Sequence, residues 1–106
     1  MGALIIKGEL MEQHCYITFP SIYQAIRAEK LLAREKYDYK MVPVPRNIST
    51  SCGTAMQCSC RDIFALRDFL RDRDLGIEGL FRVEEENLRV LSVEKLPLTE
   101  RGTDSD

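Results

Sequence analysis

The chain has 106 residues, 44% hydrophobic and 30% charged, with fifteen basic residues against seventeen acidic ones and a formal net charge of −2. That length suits one domain, which buries roughly two-thirds of its unfolded surface. The charge balance supplies no domain-wide positive field, which argues against nucleic acid as a partner, and the apolar run at 3–6 is too short for a signal peptide or a membrane span. A cytoplasmic protein without membrane association is therefore expected. Its four cysteines should then be reduced, and stand as candidates for reactivity or metal binding before disulfides.

Residues 1–13 read as an N-terminal extension, because Leu4-Ile5-Ile6 is flanked by Gly2 and Gly8 and carries mixed signals. A single domain is expected over 14–95. Its first strand is 15–19, where alternation sets Cys15, Ile17 and Phe19 on one face. Pro20 stops the ladder, and Ser21 is placed as a helix N-cap with Gln24 completing a capping box. The helix should run to about residue 36, with Ala25, Ala28 and Leu32 as its apolar stripe, joined by Leu31 and Ile22. Arg27, Lys30 and Arg34 fall mainly on the opposite, solvated side.

A second strand is expected at 39–42 and a third at 54–58, with Thr54, Met56 and Cys58 sharing a face. Ser59 to Asp62 offers another capping box, and Ile63, Leu66, Phe69 and Leu70 mark a second helix ending near 74, with Gly76 as its stop. The Arg/Asp-rich stretch 61–74 is expected to be an exposed face laced by i,i+3 and i,i+4 pairs. A fourth strand at 79–83 leads through a polar turn to a fifth at 88–93, and 96–106 should form a disordered tail. The order β-α-β-β-α-β is that of an α+β ferredoxin-like sandwich, with room for an extra C-terminal edge strand. Right-handed crossovers then put the first strand between the third and fourth, antiparallel to both.

That topology brings Cys52-Gly53, at the entry of the third strand, beside Phe19-Pro20 and the start of the first helix. The loop concerned, 43–53, is unlike a spacer. Pro43 and Pro45 stiffen its entry, and Ser49, Thr50 and Ser51 lead into Cys52 and Gly53, a shaped turn presenting one thiol. At the other end of the sheet the same topology sets Cys15 beside Cys58, with Cys60 nearby. In a straight strand Cys58 and Cys60 lie about 6.6 Å apart, so a bridge between them would need a bend.

Thr18-Phe19-Pro20-Ser21, Ala25 to Leu32, Val42 to Arg46 and Ile48 to Gly53 together resemble the small bacterial selenium/sulfur carrier-like family, over about 15–83. The resemblance implies a carrier thiol at Cys52, with Arg46, Ser49 and Gly53 in the surrounding signature. It also implies a sulfur or selenium donor protein, such as a cysteine desulfurase, and an acceptor; it implies no cofactor. The role is that of a carrier more than of a turnover enzyme. Asn47 stands where an acidic residue is usual, Thr50 where serine is common, Cys58 at an apolar strand position, and Cys60 is extra.

A carrier needs a thiolate, and free cysteine, with a pKa near 8.5, is only a few per cent ionised at neutral pH. Arg46 and the N-terminal end of the first helix at Ser21 could supply positive potential, and Ser49, Thr50 and Ser51 hydrogen bonds. Two other readings compete with this one. One is a non-catalytic ferredoxin-like interaction module; the other is a metal or redox module built on Cys15, Cys58 and Cys60. His14 is expected to be a surface residue facing away from Cys15.

Overall fold

The computed structural model describes residues 11–45, 47–86 and 89–98. Two helices and a five-stranded antiparallel sheet make an α+β unit. The elements are β1 (Met11–Thr18), α1 (Ile22–Leu32), β2 (Tyr39–Pro43), β3 (Thr54–Cys58), α2 (Ile63–Arg71), β4 (Gly79–Glu86) and β5 (Arg89–Leu96). The sheet order is β2-β3-β1-β4-β5, so β1 lies between β3 and β4 and is antiparallel to both. Of the expected extension 1–13, residues 11–13 already belong to β1, and Met11 pairs with Glu86. Residues 1–10 lie outside the described set.

One face of the sheet carries the helices. Cys15, Ile17, Phe19, Met56, Cys58 and Leu80 pack there against Ala25, Ala28 and Leu32 of α1 and Ile63, Leu66 and Leu70 of α2. The small residues at 25 and 28 let α1 lie close to the strands. Ile22 does not join this stripe; it is 53% exposed, beside Tyr23 at 66% and Ile26 at 49%. The other face holds a smaller cluster of Tyr16, Ala55, Val83 and Ile48, the last brought under the sheet by the 43–53 loop.

Several helix ends differ from expectation. Ser21 caps α1, its Oγ accepting from the Gln24 amide at 3.4 Å, but the Gln24 side chain accepts from the Gly76 amide at 3.3 Å instead of closing a capping box. α1 ends at Leu32, the last buried residue of its stripe, because 33–36 are exposed and have nothing to pack against. Asp62 is the N-cap of α2 and makes no side-chain cap bond; Ser59 Oγ accepts from the Arg61 amide instead. The stop after α2 is Asp74 at φ 59, with the Leu75 amide reaching back to the Leu70 carbonyl at 3.1 Å. Gly76 is not that stop, and a Cβ built on it would reach ordinary contact with Pro20 Cγ at 3.4 Å.

The α2 surface is not wholly solvated. Arg67 is 1% exposed, with its guanidinium 4.8 Å from the Phe64 ring, Nε donating to Asp68 at 2.9 Å and a terminal nitrogen donating to the Pro97 carbonyl at 3.4 Å. Arg71 donates to the Leu98 carbonyl at 3.0 Å. These bonds, with burial of Leu96 as the end of β5, dock 96–98 on the fold where a disordered tail was expected. Residues 99–106 lie outside the described set.

Candidate functional site

The register places Thr18, Pro43, Thr54 and Gly79 at one rim of the sheet, where β1 and β2 end and β3 and β4 begin. Ser21 follows β1 at that rim and Cys52 precedes β3, so the loop and the α1 N-terminus share an end of the molecule. The loop closes as a hairpin, the Val44 amide donating to the Gly53 carbonyl at 3.1 Å, while a turn from Pro45 to Ile48 drops Ile48 beneath the sheet.

Cys52 is half-buried and reduced, and packs against the edge of the helix-side core. Its local shape comes from Gly53. At φ 79 that residue folds the chain back, so that Cys52 Sγ donates to the Thr54 carbonyl at 3.2 Å and accepts from the Thr54 amide at 3.3 Å. The Cys52 amide donates to Thr50 Oγ1 at 3.4 Å. The described contacts to the sulfur thus come from the backbone two residues on. The Ser21 hydroxyl is engaged in capping α1.

The hydroxyls expected to serve the thiol are turned elsewhere. Glu78 Oε1 accepts from Thr50 Oγ1 at 2.7 Å and from the Ser51 amide at 3.1 Å, and Glu78 Oε2 accepts from Ser51 Oγ at 2.9 Å. The Thr50 hydroxyl, then the amide and hydroxyl of Ser51, hold this carboxyl below the usual range. Glu78 is itself anchored by its amide, which donates to the Thr18 carbonyl at 2.7 Å. The anchoring group of the loop is therefore a carboxylate from the far side of β1, a residue outside the expected site. Its signal was an acidic residue just before the fourth strand, which the topology places at this rim. Ser49 is exposed. Arg46 lies outside the described residues.

The other three cysteines gather at the opposite rim. Cys15 is the cross-strand partner of Cys58, and the chain turns directly after Cys58, carrying Cys60 back over β1. Cys15 and Cys60 form a disulfide, with Cα atoms 5.0 Å apart. This corrects the expectation of four free thiols, and two of the three proposed metal-binding thiols are bonded to each other. The remaining one, Cys58, is buried; desolvation first, and the charge of Asp62 second, push its thiol up to about 12. A hollow of about 250 Å³ lined by His14, Asp38, Tyr39, Lys40, Gln57, Cys58 and Ser59 opens at this end, away from Cys52.

The family model described as "Putative Se/S carrier protein-like" matches residues 14–82, and the chain belongs to that family. No curated protein and no solved structure matches it.

Proposed function

We propose that this member of the Se/S carrier-like family holds a persulfide or perselenide on Cys52, loaded by a donor protein such as a cysteine desulfurase and discharged to an acceptor. The observation that carries the reading is elimination among the cysteines. Cys15 and Cys60 are bonded together, Cys58 is buried with a thiol that resists ionisation, and Cys52 alone is both reduced and open to solvent. The Cys52 thiolate attacks the outer sulfur of a donor persulfide. The new S–S bond forms as the donor's breaks, and the donor cysteine leaves as a thiolate. On discharge an acceptor nucleophile attacks the same outer atom and Cys52 leaves as a thiolate, so neither transfer consumes an oxidant or a reductant.

Two features suit a carrier. The Thr54 amide is aimed at the sulfur and can bond an anion there. The remaining cysteines are at the far rim, so no neighbouring thiol intercepts the cargo by forming an internal disulfide. The β2-β3-β1-β4 order with two crossover helices supports the ferredoxin-like description, β5 being the extra edge strand. A cytoplasmic location fits the proposed donor, whereas the Cys15–Cys60 disulfide is of a kind rare in that compartment.

The test is intact mass after incubation with a cysteine desulfurase and cysteine. A one-sulfur adduct is expected on the wild type and not on Cys52→Ser. No adduct on the wild type, or an equal adduct on the variant, rejects the carrier role. The second reading, a non-catalytic interaction module, draws on the exposed Ile22, Tyr23 and Ile26 of α1. It requires Cys52→Ala to leave partner binding intact.

A further inference from the structure

On the sheet face opposite the helices, at the end remote from Cys52, Glu12 and His14 of β1 meet Glu85 of β4. Alternation puts residues 12, 14 and 16 on that face, and the register sets Glu12 directly across from Glu85. His14 Nε2 lies 3.1 Å from Glu12 Oε1. One ligand-type atom from each of the three residues lies within 4.8 Å of the other two. Around a tetrahedral zinc ion with bonds near 2.0 Å, neighbouring ligand atoms are about 3.3 Å apart. The Glu12–His14 edge already has that spacing, and the Glu85 carboxylate would have to turn from its present place to complete a third ligand position.

A second observation points to a cation. Like charges directly opposite each other on antiparallel strands are destabilising, and Glu12 and Glu85 are such a pair. Glu84 alternates onto the opposite face, where Gln13 Nε2 and Ser92 Oγ each donate to it at 3.3 Å.

We propose that Glu12, His14 and Glu85 form a binding site for a divalent transition metal, Zn²⁺ foremost, with one nitrogen and two oxygen ligands and water completing the coordination. Imidazole with carboxylates suits Zn²⁺ better than Mg²⁺, which prefers oxygen ligands throughout. The site uses no cysteine and is independent of the carrier reading.

The wild-type protein carries its own reporter, because His14 is the single histidine. Zn²⁺ added to metal-free full-length protein should shift the His14 imidazole resonances in nitrogen-detected spectra and saturate at one ion per chain, with Mg²⁺ having no effect. By calorimetry, His14→Gln and Glu85→Gln should each weaken Zn²⁺ binding about tenfold or more, and Cys52→Ser should bind like the wild type. The Co²⁺ form should lack a thiolate-to-cobalt charge-transfer band. Imidazole resonances unmoved by saturating Zn²⁺, affinity unchanged in Glu85→Gln, or binding lost in Cys52→Ser would each overturn the proposal.

Discussion

Both oxygens of the Glu78 carboxylate are bound by the loop that bears the thiol, and Ser51 supplies two of those bonds, from its amide at 3.1 Å and its hydroxyl at 2.9 Å. A residue at the entry of β4 thus fixes the approach to β3 across the end of β1. The carboxylate takes up donors that would otherwise be available to an anion on Cys52.

Glu78→Gln should loosen this loop. Two hydroxyl–carboxylate bonds become weaker neutral ones, a loss of about 1 kcal/mol since solvent competes at this site. Native-state alkylation of Cys52 should speed up several-fold, with hydrogen exchange rising at 50–52 and staying constant in α2. If the alkylation rate is unchanged, Glu78 does not restrain the thiol.

The same carboxyl predicts a pH dependence. Its folded value lies below the ordinary glutamate value near 4.3, so its contribution to stability is complete above that value. It fades as pH falls through the lower, folded value. Denaturation midpoints of wild type and Glu78→Gln should therefore converge below about pH 4. A gap that stays constant on acidification would assign the effect to something other than ionisation.

Cys58 behaves in the opposite sense. Its thiol is held up at about 12, above the unfolded value near 8.5, so its contribution is intact below pH 8.5 and is lost as pH rises toward 12. Iodoacetamide under native, non-reducing conditions at pH 8 should label Cys52 alone, Cys58 reacting only after denaturation. Peptide mapping of the alkylated protein reads this directly.

The Cys15–Cys60 bridge ties β1 to the turn before α2 across a sequence separation of 45. Chain-entropy reasoning puts the effect of losing a loop of that size at about 4 kcal/mol, and native disulfides typically contribute 2–4 kcal/mol. Cys60→Ser should lower the urea midpoint accordingly while leaving the Cys52 sulfur adduct intact. An unaltered midpoint would show that packing alone holds this end together.

Two backbone positions offer cleaner tests. Gly53 has nothing within 4 Å of a Cβ built on it, so Gly53→Ala meets no clash and reports only the cost of φ 79, about 1–2 kcal/mol. Asp74, at φ 59, should respond the other way, Asp74→Gly stabilising the fold by about 1 kcal/mol. Thermal melts of the pair should shift in opposite directions.

The pattern of residues alone determined much of this protein. Period-two alternation marked the inward face of Cys15, Ile17 and Phe19, helical spacing marked Ala25, Ala28 and Leu32, and β3 was legible to the residue. These are local properties, set by which side of an element each side chain leaves. The 43–53 loop and Cys52 also stood out, because prolines, hydroxyl residues and glycine mark special backbone wherever they occur. Only the tertiary structure decided what lies across from what. Glu78 reaches Ser51, Cys60 reaches Cys15, and Arg67 is buried under 97–98, through contacts spanning 27 to 45 residues. Such pairings follow from strand register and from how the chain turns after a strand, and no spacing rule within one element encodes them.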